Sequence, residues 1–131
     1  MFGLAKGGTE LKILIRKYHG ITILDLRGKS TFDNSGSELL NGELLRLSEG
    51  GVSNLLLNVE DLTQVDSSCV GVLVRAYVAL KRKGGSIKLL RPRQHVKMVL
   101  NVFHLLETIP HFEDEAQALA SFAVVPNLAG C

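Results

Sequence analysis

The sequence predicts an α/β domain, on three observations. Segments of strand character alternate with segments of helical period, which favours a sheet covered by helices and joined by right-handed crossovers. The chain has 131 residues and is 46% hydrophobic, enough for one compact core and too little for two. Its only cysteines, Cys69 and Cys131, offer no disulfide framework, so the core itself must carry the stability.

The elements follow in order. Leu11 to Lys17 alternates Leu11, Ile13 and Ile15 with Lys12 and Arg16, Tyr18-His19-Gly20 supplies a turn, and Ile21 to Leu26 forms a second strand. After Gly28, the polar run Asp33-Asn34-Ser35-Gly36-Ser37 is suited to capping a helix with Leu40, Leu44 and Leu47 inward, ended by Glu49-Gly50-Gly51. Leu55-Leu56-Leu57, with Asn58, Val59 and Leu62, reads as a short strand covered on both faces that leads into a polar connection. Val70, Leu73, Val74, Tyr77 and Val78 then mark one face of a helix that Gly84-Gly85 breaks. Ser86 to Leu90 is a further strand. Val96, Val99, Leu100 and Phe103 form a third helical stripe, with Met98 and Phe103 expected in the core. Thr108 to Phe112 is expected as a short edge strand and Asp114 to Ala123 as a last helix.

Residues 1–9, with Gly3, Gly7 and Gly8, read as a flexible leader; residues 10–123 form the domain, and residues 124–131 a C-terminal tail. No apolar run reaches the roughly 18 to 20 residues of a bilayer span, and the N-terminus lacks a secretory pattern, so a cytoplasmic protein is expected. Fifteen basic and thirteen acidic residues leave a net charge of +2, which provides no broad footprint for nucleic acid. Lys81-Arg82-Lys83 and Arg91-Pro92-Arg93 read as solvated helix ends and loops.

The chemistry concentrates at Val65-Asp66-Ser67-Ser68-Cys69-Val70-Gly71, where a buried strand becomes a helix. Asp66, Ser67 and Ser68 can cap the helix, since side-chain oxygens accept from its unpaired N–H groups. A phosphate on either hydroxyl would meet the same positive helix end. An enzyme reading makes Ser67 or Cys69 a nucleophile, with His19, His95, His104 or His111 as base. No Gly-x-Ser-x-Gly elbow surrounds the serines, and the histidines have no spacing that assembles a triad or a metal site. No Gly-rich segment followed by Lys-Ser/Thr makes a phosphate loop. The expectation is a non-enzyme without cofactor or metal. Cys69 reads as a small packing residue in preference to a low-pKa thiol.

Leu26-Arg27-Gly28, the strand Asn54 to Val59, the stretch Val65 to Leu73, Gly84-Gly85-Ser86-Ile87-Lys88-Leu89 and Asp114-Glu115-Ala116 together resemble the STAS domains of bacterial anti-sigma factor antagonists. The resemblance spans Leu11 to Phe122. It implies a single STAS-like domain, a mixed β-sheet flanked by about four helices. It also implies a protein that binds a serine-kinase anti-sigma factor and is switched by reversible phosphorylation, undone by a phosphatase. By position, the phosphorylated hydroxyl falls on Ser67, with Ser68 as the alternative. The partner-binding set is then Thr31, Asn58, Asp66, Ser67, Ser68 and Cys69. Cys69 stands where such domains usually carry Gly, and Asn58 where the central strand usually ends in Asp. A second role implied by the same resemblance is a non-enzymatic scaffold subunit of a stress-sensing or lipid-transport assembly, with homo-oligomers possible.

Overall fold

The computed structural model describes residues 10–122. Both expected terminal segments, and Ala123 at the end of the expected last helix, lie outside these residues. The elements run β1 (Lys12–Tyr18), β2 (Ile21–Ser30), α1 (Gly36–Glu49), β3 (Asn54–Val65), α2 (Ser67–Arg82), β4 (Ser86–Leu90), α3 (Gln94–Val102), a single 3-10 turn (Leu105–Glu107), β5 (His111–Phe112) and α4 (Glu115–Phe122). The sheet has the order β1-β2-β3-β4-β5. β1 and β2 form an antiparallel hairpin, and every later neighbour is parallel. The sheet is therefore mixed, as expected.

Alternation along the central strands divides the core between two faces. Leu24, Leu26, Leu55, Leu57 and Val59 lie in a large cluster with Leu40, Leu44 and Leu47 of α1, Val70, Leu73 and Leu80 of α2, and Val96 and Leu100 of α3. Ile21, Ile23, Leu56 and Leu90 turn the other way, against Ala118 and Phe122 of α4. Three helices thus cover one face and one helix the other, the layering that makes the middle strands continuous apolar runs.

Several boundaries and faces differ from the sequence expectation. β3 does not end at Val59 in a polar connection: it runs on to Val65, paired through Gln64 and Val65 with Lys29 and Ser30 of an equally prolonged β2. The polar residues of that stretch lie on a strand whose other positions, Leu62 and Val65, are buried, so alternation was masked by a one-residue break in register. On α2 the buried face holds Cys69, Val70, Val72, Leu73, Ala76 and Leu80. Val74 and Val78 are exposed by about 40% each. Met98 and Phe103 are not core residues: Met98 points outward from α3, and Phe103 lies past its end, half exposed. The expected edge strand from Thr108 shrinks to His111–Phe112, because the Thr108 and Ile109 N–H groups donate back to the Leu105 carbonyl and Pro110 has no N–H to offer a neighbour. His104 adopts a left-handed conformation beyond the end of α3, whereas His95 lies in its first turn.

Among the described residues no helix is long and apolar enough to cross a membrane. The basic clusters are partly taken up by the fold. Lys83 Nζ donates to the Ser48 carbonyl, and Arg91 reaches Glu60 and the Glu113 carbonyl.

Candidate functional site

Three chain segments meet at one end of the sheet: the loop after β2, the start of α1 and the start of α2. Their approach depends on small residues. A Cβ on Gly36 would lie 2.1 Å from the Lys29 carbonyl oxygen, so only glycine lets α1 begin this close to β2. Asn34 then serves the turn, accepting from Gly36 N–H at 2.8 Å and donating to the Lys29 carbonyl. Ser35, at the N-cap position, makes no side-chain cap.

Asp66 caps α2 as expected, its Oδ1 accepting from Ser68 N–H at 2.9 Å. Its other oxygen accepts from Phe32 N–H at 3.0 Å, which ties the β2–α1 loop to the helix start. Partial burial alone would raise the Asp66 carboxyl. The Ser68 hydroxyl and the backbone N–H groups of Phe32, Ser68 and Cys69 more than offset this, holding it below the ordinary carboxylate range.

Behind this bridge runs a chain of hydroxyls. Ser68 Oγ donates to Asp66 and lies 2.7 Å from Ser37 Oγ, which in turn is 3.0 Å from Ser30 Oγ. Ser30 and Ser37 are buried. Ser30 also hydrogen-bonds the Cys69 thiol. Burial pushes that thiol up to about 11, against the Ser30 bond and with the Asp66 charge, so Cys69 is a protonated packing residue of the α2 face.

Ser67 differs from its neighbour. It is exposed, and among the described residues its hydroxyl has no hydrogen-bond partner, whereas Ser68 is half-buried and engaged on two sides. Across from Asp66 stands Phe32, 81% exposed on a loop held by the Asp66 bridge and by Ser35 N–H to Phe32 carbonyl. An exposed aromatic on a constrained loop was not singled out from the sequence. Its only sequence signal is an apolar residue inside a polar run.

The structure brings Asp66, Ser67 and Ser68 together at the surface and leaves the other expected partner-binding residues elsewhere. Thr31 is in the same loop but buried, its hydroxyl turned to Asp33 and Asn34. Cys69 faces the core. Asn58 lies on the α4 face of the sheet, where its amide donates to Asp25 at 2.8 Å. Arg16 pairs with Asp25 and with Glu115 of α4, so Asn58 belongs to a charged network on the opposite side. Burial opposes the charge on Asp25, but Arg16 and Asn58 hold its carboxyl below the usual range. Of the four histidines, none bonds to Ser67 or Cys69 among the described residues; His95 reaches the Leu62 carbonyl and His104 reaches Glu107.

The chain has relatives. The chain is 24% identical over 117 residues to the anti-sigma F factor antagonist of Paenibacillus polymyxa, covering 88% of this chain and 98% of that protein. The fold is similar to that of an anti-sigma factor antagonist from Mycobacterium paratuberculosis, with a TM-score of 0.76 at 14% identity over 86% of this chain and 94% of that one. It is also similar to the Bacillus cell fate determinant SpoIIAA in its phosphorylated form, with a TM-score of 0.66 at 20% identity over 84% and 98%. The family model described as the STAS domain matches residues 12–118. With that match covering most of its length, the chain belongs to the STAS domain family.

Proposed function

We propose that this protein is an anti-sigma factor antagonist that binds a serine-kinase anti-sigma factor, and that phosphorylation of Ser67 ends the association until a phosphatase restores it. The observation that carries the reading is the contrast between the adjacent serines. Ser67 has an exposed, unpartnered hydroxyl, while Ser68 is held by Asp66 and Ser37. A kinase needs an acceptor oxygen it can approach without first breaking native hydrogen bonds. Ser67 offers that.

Phosphate adds about −1.5 to −2 charges at neutral pH together with strong acceptor oxygens. At the first position of a 16-residue helix the macrodipole favours the added charge, while the Asp66 carboxylate opposes it. The modified domain therefore stays folded, and the effect falls on a partner docked over Phe32 and Ser67, which meets a new dianion at the contact. In this role the protein is substrate and binding partner rather than enzyme. ATP belongs to the kinase, and the setting is the cytoplasm. The existence of a phosphorylated form of the Bacillus relative supports the same reading.

The test is incubation with candidate anti-sigma kinases and ATP, mass mapping of the modified residue, and binding assays on Ser67→Ala and Ser67→Asp. Ser67→Ala should retain binding and lose phosphorylation; Ser67→Asp should bind at least about tenfold more weakly. Phosphate found on Ser68 alone would refute the residue assignment. Loss of the folded circular-dichroism spectrum on phosphorylation would refute the local mechanism. Isolation only as large persistent particles, or with a transporter ATPase, would replace the switch with the scaffold role.

A further inference from the structure

A groove between α1 and α2 runs away from the switch surface, and a hydrogen bond from Arg75 Nε to Asn41 Oδ1, 3.2 Å long, bridges it. On one side of the bridge lie Phe32, Ser35, Ser37 and Ser68. On the other side the groove deepens into a separate cavity of about 150 Å³. Its walls are Leu44, Leu47, Leu55 and Leu80, all buried, with Ala76 and Ala79 contributing only methyl groups where larger side chains would fill the space. Leu45, half exposed, and Arg75, exposed, line it as well and mark its opening toward solvent.

Size and charge limit what can enter. A largely apolar cavity of roughly 150 Å³ matches a benzene-sized group in volume. Polar lining is confined to Asn41, Ser48 and Arg75. Among the described residues Arg75 forms no ion pair; its Nε donates to the neutral Asn41 Oδ1, and its terminal nitrogens have no acceptor, which leaves them to a carboxylate.

We propose that the α1–α2 cavity is a binding site for a small monocarboxylate with a benzene-sized apolar tail, the tail among Leu44, Leu55, Ala76 and Leu80 and the carboxylate on Arg75. The apolar walls provide the affinity and the guanidinium provides the selection for an anion. Nothing in this depends on Ser67 or on an anti-sigma partner. A ligand this small binds weakly, with a dissociation constant on the order of 1 mM.

Amide chemical shifts of the wild-type protein are to be followed during titration with benzoate and, separately, with benzyl alcohol, which has the same ring without the charge. Benzoate should give saturable shifts centred on Leu44, Leu45, Ala76 and Ala79, with benzyl alcohol binding about tenfold more weakly. Arg75→Gln, a change at an exposed residue, should bring benzoate down to the level of benzyl alcohol. Ala79→Leu should abolish both by filling the cavity. The proposal is overturned by the absence of saturable shifts up to about 10 mM benzoate, by equal affinity for the two probes with Arg75→Gln indifferent, or by unchanged binding in Ala79→Leu. It is equally overturned if the same amides shift with protein concentration alone, since a second copy of the chain would then be the occupant.

Discussion

Replacing Asp66 with Asn separates its two structural tasks. Asparagine caps helices about as well as aspartate, so its carbonyl oxygen can still accept from Ser68 N–H. The group now facing Phe32 N–H is an amide NH₂, however, and two donors meet where an acceptor stood 3.0 Å away. The loss is one charge-assisted hydrogen bond at an exposed site, worth about 1 kcal/mol after solvent screening. That corresponds to a fall of about 4 °C in Tm for a domain of this size. Asp66→Ala also removes the cap and should cost about 2 kcal/mol. The pH dependence has a definite sign. The folded carboxyl titrates below its unfolded value near 3.9, so its contribution is complete above the ordinary carboxyl range and is lost as pH falls through the depressed value. Urea unfolding of wild type and Asp66→Asn should therefore differ at pH 7 and converge in acid. Hydrogen exchange at the Phe32 amide should accelerate in the variant at neutral pH. An unchanged Phe32 amide, or a stability gap that persists once the carboxyl is protonated, would show that the bridge does not hold the loop.

Phe32→Ala should leave unfolding free energy within about 0.5 kcal/mol of wild type, because an 81% exposed ring loses little burial, yet weaken binding to the kinase partner at least about tenfold in calorimetry. Gly28→Ala should cost more than about 3 kcal/mol in urea unfolding, since Gly28 has φ +105° and a Cβ there would lie 2.0 Å from the Glu10 carbonyl oxygen. In a Cys131→Ser background, Cys69 should resist an aromatic disulfide reagent at pH 7 and react on unfolding. A buried thiol pushed up to about 11 is ionised in only about one molecule in ten thousand at that pH.

The sequence reveals elements whose pattern is set by burial on one face, and fails where a neighbouring segment decides. α1, β4 and the hairpin of β1 with β2 as far as Leu26 are legible because Leu and Ile recur at strand or helix period between glycine turns, although Ile15 of β1 is exposed. The prolongation of β3 to Val65 is not, since Glu60, Asp61, Thr63 and Gln64 become strand residues only because β2 extends beside them. On α2 the apolar residues nearly encircle the helix, and several overlapping stripes fit the helical period; the one that is buried is chosen by α1 and the sheet. The two serines are the sharpest case. Nothing in Asp-Ser-Ser tells one hydroxyl from the other, but consecutive helical residues point about 100° apart. Once Val70 and Leu73 fix the rotation of α2 against the core, Ser68 is turned toward Ser37 of α1 and Ser67 toward solvent. The hydroxyl left exposed is thus selected by the packing of buried residues on the far side of the helix. A core substitution that rotates α2, such as Val70→Phe at a buried position that fixes its rotation, should alter the choice between Ser67 and Ser68 by a kinase with neither serine changed.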